Sequence, residues 1–216
     1  MIGPAHRIDY ELRREPDAPR SGFAAVGNRE PGFFIPIVRK FMQESEQVNG
    51  GAAFVFTSSN PKEGVSVVIA AVARELAAVS GEKVIVAESR AIGNLSPSPG
   101  PKSWSPVLHE GGGVYRLRPA ESSRVASRID RFDLLRHLKQ LFLFVLIDCP
   151  ALSASAEALE FGAKSQGIVL VAAAGRVRRT RLLQAQTLIK VSGVPLLGCA
   201  LNRRTYPIPE FLYKRL

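Results

Sequence analysis

AAFVFTSSNPKEGVSVV (Ala52–Val68) is the stretch whose reading decides the fold. Its first part, Ala52–Ser58, is an apolar run ending in small polar residues, the pattern of a strand buried on both faces. Pro61 and Gly64 then mark a turn, and Val65–Val79 is long enough for a helix that stops at Gly81. A tight connection between a buried strand and a helix is where a phosphate-binding loop forms. Such a loop needs glycines so that backbone N–H groups can wrap phosphate oxygens. It also needs a lysine for the β- and γ-phosphates and a Ser or Thr for magnesium. At that spacing Ser59 falls on the first glycine position, Gly64 on the second, Val65 on the lysine position and Ser66 on the magnesium-ligand position. The pattern keeps its shape and loses its most important charge.

Outward from this loop, strands and helices alternate. KVIVAES (Lys83–Ser89) reads as a second buried strand. A loop rich in Pro, Ser and Gly follows (Ala91–Gly113), and VYRLRP (Val114–Pro119) is a short strand. Ile129–Gln140 carries leucines at helical spacing, and LFLFVLID (Leu141–Asp148) has the character of a central strand. Ala154–Lys164 is a helix, GIVLVAA (Gly167–Ala173) a strand, Arg178–Val191 a basic helix and PLLGCALN (Pro195–Asn202) a last strand. Nearly all-apolar strands alternating with helices predict a three-layer α/β domain with a mostly parallel central sheet and helices on both faces. Ligands in such sheets sit at the carboxyl ends of strands, which directs attention to the loops after Phe56, Ala87 and Ile147. Residues 1–49, with scattered prolines and charges, are expected to be an extended arm holding at most one short helix near Ile37–Gln47. The domain proper is placed at 50–204 and a tail at 205–216.

Composition narrows the classes. A hydrophobic share of 46% in 216 residues suits one sizeable core. No run of about 18 apolar residues occurs, and the first residues lack an apolar signal core, so a cytoplasmic protein is expected. Cys149 and Cys199 each follow or end an apolar run and are expected to be buried, reduced thiols; neither has the neighbours of a disulfide framework or a zinc site. His6, His109 and His137 are too scattered to make a metal site or a catalytic base. The net charge of +10 would attract nucleic acid, anionic lipid or an acidic partner, and its local cluster is Arg176, Arg178, Arg179 and Arg181. Charge alone does not choose among these.

Three further segments complete a constellation. VIVAES ends in Glu88 and FVLIDCP places Asp148 where a Walker B carboxylate would hold magnesium, directly or through water; GCALNRR ends the last strand in Asn202. Each residue alone has a plain reading, a helix cap for Ser66 and turn residues for Asp148 and Asn202. Together, in this order, TSSNPKEGVSV, VIVAESR, VLIDCPA and GCALNRR resemble the bacterial tyrosine kinase family of polysaccharide assembly, within the ParA/MinD-like P-loop group. That family reads roughly TSxxPGEGKST, then strands ending in DAD, IDTPP and LNR. The resemblance runs from about Ala52 to Arg204, with Pro61, Glu63, Gly64 and the IDCP segment as its most specific parts.

The resemblance implies an ATP-dependent protein tyrosine autokinase that uses ATP or ADP with Mg²⁺. Ser59, Asn60, Pro61, Lys62, Glu63, Gly64, Val65, Ser66, Val67 and Asn202 would form the nucleotide site, with Asn202 at an adenine contact. Ser66 and Asp148 would hold magnesium, and Glu88 would be base or metal partner. The departures are concentrated at the chemistry: Val65 replaces the lysine, Val67 the following threonine, Glu88 and Arg90 the two aspartates, and Lys62 a loop glycine. Asn60 stands where ParA/MinD-like proteins carry their variant lysine. Losing one charge-assisted contact costs about 1.5–3 kcal/mol, or ten- to a hundredfold in affinity, and more in a transition state. Weak or absent ATP hydrolysis is therefore expected.

The resemblance further implies a tyrosine-rich C-terminal tail, reduced here to Tyr206 and Tyr213. It also implies a ring-forming ExxRxxR helix before the loop, of which only Arg39 is suggestive. The implied partner is a membrane-bound polysaccharide co-polymerase, and FLYKRL (Phe211–Leu216) combines apolar and basic groups suited to an anionic membrane surface. Trp104 is expected to pack its own loop. Three readings follow: a catalytically impaired, regulatory or scaffold subunit of exopolysaccharide synthesis or export; an active autokinase or ATPase using Lys62 in place of the missing lysine; and a ParA/MinD-like positioning protein binding DNA or membrane through Arg176–Arg181. The first is favoured, because Val65 and Arg90 stand at phosphate and metal positions.

Overall fold

A computed structural model of the chain describes residues 32–93, 107–117 and 131–203. In chain order its elements are α1 (Ile35–Glu46), β1 (Ala52–Ser58), α2 (Val65–Ser80), β2 (Val84–Glu88), α3 (Ser89–Gly93), β3 (Val107–Gly111), β4 (Val114–Leu117), α4 (Arg131–Leu141), β5 (Phe144–Asp148), α5 (Glu157–Gly162), β6 (Gly167–Ala173), α6 (Arg179–Val191) and β7 (Leu196–Asn202). The strands form one sheet in the order β3-β4-β2-β5-β1-β6-β7, and every pairing is parallel except the β3–β4 hairpin. This is the expected three-layer α/β architecture.

The all-apolar strands follow from coverage on both faces. In β1, Phe54 and Phe56 point to one core with Val84, Val86, Phe144 and Leu146, under α1 and α2. Ala53 and Val55 point to the other with Ile85, Val145, Ile147 and Ile168, under α4, α5 and α6. Alternation along a strand thus serves two cores at once, so no polar face is left.

α2 begins directly after the β1 loop and ends at Gly81, whose φ of 72° and N–H donated to the Ala77 carbonyl form the expected glycine stop. α1 spans the region where a short helix was expected. It is docked rather than extended: Val38 and Phe41 are fully buried, and Phe41 stacks on Phe54 with ring centroids 3.8 Å apart.

Three features differ from the sequence expectations. Val107–Gly111, read as part of a Pro/Gly-rich loop, pairs antiparallel with β4, because Gly111, Gly112 and Gly113 all have positive φ and close a tight hairpin. Ser89–Gly93 forms the short α3 directly after β2. Cys199 is exposed, not buried, because β7 is the sheet edge and alternates inward and outward; Cys149 is buried as expected. Trp104, Tyr206, Tyr213 and Phe211–Leu216 lie outside the described residues.

Candidate functional site

β1, β2 and β5 run side by side, so their carboxyl ends bring three connections to one place. In register, Phe56 sits beside Asp148, and Asp148 beside Glu88. Phe56 and Leu146 face the α1–α2 core, so Asp148 and Glu88, even-numbered on adjacent parallel strands, share the face on which α2 starts.

The loop from Ser59 to Gly64 is held from within. Glu63 is 5% exposed. Its Oε1 accepts from Ser59 Oγ at 2.9 Å and from Asn60 Nδ2 at 3.2 Å. Ser58 Oγ donates to the Asn60 carbonyl at 2.8 Å. On the other side Asn202, 4% exposed at the end of β7, donates from Nδ2 to the Glu63 carbonyl at 2.9 Å. Gly64 has φ 89°, and a Cβ there would lie 2.1 Å from Asn202 Nδ2. Only glycine fits both the conformation and the space. The loop is therefore a closed turn over the start of α2, the shape a phosphate-binding loop requires.

The side chains on that frame decide its chemistry. Val65 is partly buried and packs against the α1–α2 core, so the lysine position contributes to packing. Lys62 is exposed, with φ 67°, and makes no hydrogen bond or ion pair among the described residues. A glycine would hold that turn without strain. Asn60, at the variant-lysine position, is spent on Ser59 and Glu63. Arg90 is exposed on α3, and Val67 is partly buried on α2.

Ser66 and Asp148 remain together. No side chain caps α2; Ser66, exposed in its first turn, lies near enough to Asp148 to influence its titration. Burial raises the Asp148 pKa above the ordinary carboxylate value; the Ser66 hydroxyl opposes this, the Glu88 carboxylate adds to it and the Arg116 guanidinium offsets it. A hydroxyl near a carboxylate, with a second carboxylate on the next strand, suits Mg²⁺, which takes one or two carboxylates and otherwise keeps water or phosphate oxygens. Ser66, Asp148 and, at longer range, Glu88 would hold it. The donors for the metal fit better than the donors for the triphosphate, which lack the lysine.

Two contributors were not singled out from sequence. Arg116 lies on β4 opposite Val86 and so on the same face as Glu88; its Nε donates to Glu110 Oε1 at 2.6 Å. The buried Ser89 donates to Glu157 Oε2 at 2.5 Å, and nearby, burial pushes the Cys149 thiol far up. The polar alternation in Val114–Leu117 was the visible signal for Arg116; nothing local marks the Ser89–Glu157 link.

The seven-stranded, mostly parallel sheet with helices on both faces and a tight loop after β1 is a P-loop fold of the ParA/MinD type. The comparisons with solved structures agree on the fold. The chain is similar to the chimerical protein CapA2B2, with 25% identity over 80% of this chain and 84% of that one, at a TM-score of 0.60. It is similar to the kinase domain of the Escherichia coli tyrosine kinase ETK, with 18% identity over 91% of this chain and 85% of that domain, at a TM-score of 0.66. A ParA family ATPase from Chlorobium tepidum TLS aligns with 14% identity over 70% of this chain and 74% of that one, at a TM-score of 0.51. The chain thus has the fold that the sequence resemblance implies. No family model and no curated protein matches it. No helix among the described residues is long and apolar enough to cross a membrane.

Proposed function

We propose that this chain is a catalytically impaired tyrosine-kinase-like P-loop protein that acts as a cytoplasmic regulatory or scaffold subunit in exopolysaccharide synthesis or export. The observation that carries this reading is Val65: at the lysine position it is a partly buried aliphatic side chain packed against the α1–α2 core, while the loop itself stays closed through Glu63, Gly64 and Asn202. A phosphate-binding frame without its lysine keeps a shape that a partner can recognise and lacks the cation that stabilises charge on a transferring phosphoryl group. The partner this reading names is a membrane-bound polysaccharide co-polymerase.

The experiment is a phosphate-transfer assay on the full chain with Mg²⁺ and labelled ATP, paired with complementation of a gene deletion. The expected outcome is no label on Tyr206 or Tyr213 and equal restoration of polymer by wild type and Asp148→Ala. Robust self-labelling, or polymer restored by wild type alone, contradicts it. The retention of Gly64, Ser66 and Asp148 supports one alternative, an active ATPase or autokinase. In that case turnover is Mg²⁺-dependent and disappears in Asp148→Ala, and in Lys62→Ala if Lys62 replaces the missing lysine.

A further inference from the structure

Charge is distributed unevenly along this chain. From Phe161 to Pro209 there are 49 residues with no Asp or Glu, and eight cations; the remainder carries 21 cations against 19 carboxylates. Nearly the whole net charge of the protein therefore belongs to the β6–α6–β7 end. α6 packs against the sheet through Ala185 and Ile189, with Leu182 partly buried beside them.

A helix that buries one stripe normally shows water a polar one. α6 does not. Leu183 is 48% exposed, Leu188 44% and Val191 79%. With Thr180, Gln184 and Thr187 they lie at spacings of three and four, so they form one outward face without a charge. Arg179, Arg181 and Lys190 flank that face and are exposed. Arg176 and Arg178, also exposed, precede the helix on the loop after β6. None of these cations has an ion pair among the described residues. Because β6 runs parallel to β1, its following loop lies at the strand ends that also carry the Ser59–Gly64 loop.

We propose that the outward face of α6 and the arginines at its start form a docking surface for an anionic lipid bilayer. Aliphatic side chains flanked by unpaired cations match an interface of acyl chains beneath anionic headgroups. Nucleic acid uses the cations and has no use for Leu183, Leu188 and Val191. Docked this way, α6 lies along the membrane with the phosphate-binding loop at its near edge. This surface is independent of whether nucleotide binds, so it stands or falls separately from the function proposed above.

The test is co-sedimentation of the full chain with vesicles of phosphatidylcholine alone or mixed with phosphatidylglycerol, alongside duplex DNA binding at the same salt. Wild type is expected to bind the anionic vesicles and to be released by added salt. Replacing Arg176, Arg178, Arg179 and Arg181 with Gln is expected to weaken this at least about tenfold, since each cation near such a surface is worth about 1 kcal/mol. Leu183→Gln with Leu188→Gln and Val191→Gln is expected to weaken vesicle binding severalfold while thermal melting changes little, because those side chains lie outside the buried core. No binding to anionic vesicles at low salt overturns the proposal. So does binding abolished by Lys214→Gln with Arg215→Gln but indifferent to both α6 sets, or DNA binding that is tighter than vesicle binding and indifferent to the leucine set.

Discussion

Gly64 and Asp148 are held in opposite ways, and each makes a prediction. Gly64 has no room for a methyl group beside Asn202 Nδ2, and its φ of 89° suits only glycine. Gly64→Ala is expected to cost about 1–3 kcal/mol and to be seen as a lower Tm. Asp148 has its pKa raised chiefly by burial. Between the unfolded value near 3.8 and the raised folded value, the folded protein binds more protons than the unfolded chain. Its contribution to stability therefore falls as pH rises through that window. Asp148→Asn removes the penalty while leaving an acceptor oxygen in place. It is expected to raise Tm at pH 7 relative to wild type and to have little effect well below the acid window; equal shifts at both pH values contradict this. The places of Gly64, Ser66 and Asp148 at the strand ends were legible because each sits at a fixed offset from an apolar strand. The Glu63–Asn202 contact was not, since 139 residues separate its partners and only the folded sheet brings β7 over the loop.

Among the elements, α1 is the one whose standing changed. In sequence it holds Pro36, with Pro31 just before it, and scattered charges, with nothing to show what Val38 and Phe41 would meet. Their partner is the face of β1 that carries Phe54 and Phe56, which become neighbours only when β1 is covered. Phe41→Ala is expected to destabilise the domain by about 3–5 kcal/mol, measured by denaturant unfolding. A change within error would mean that α1 is an accessory arm. β1 and β6 were read to the residue, because burial on both faces leaves an unbroken apolar run; β5 was read three residues too long, because the same apolar run begins in Leu141, which ends α4. β3 was missed for the converse reason: it is a short edge strand that pairs only with β4, so its composition is that of a loop. The burial of Cys199 was overestimated on the same edge, where one neighbour is absent and alternate residues face outward.

At the scale of the whole molecule, the frame and the cation are separate features of the site. The sheet, the closed loop, Ser66 and Asp148 are present, while the lysine position is Val65, partly buried against the α1–α2 core. The architecture was legible because it depends on hydrophobic periodicity, which many residues specify redundantly. The chemistry depends on one side chain and its surroundings, so sequence named the substitution and only packing showed where Val65 goes. Restoring the cation in this frame should therefore restore affinity. Calorimetric titration of wild type and Val65→Lys with ADP and ATP, with and without Mg²⁺, tests this directly. The account predicts no saturable heat for wild type up to millimolar nucleotide, and a Mg²⁺-dependent gain of at least about tenfold in Val65→Lys. Micromolar, Mg²⁺-dependent binding by the wild type would contradict it and show that the loop works without its lysine.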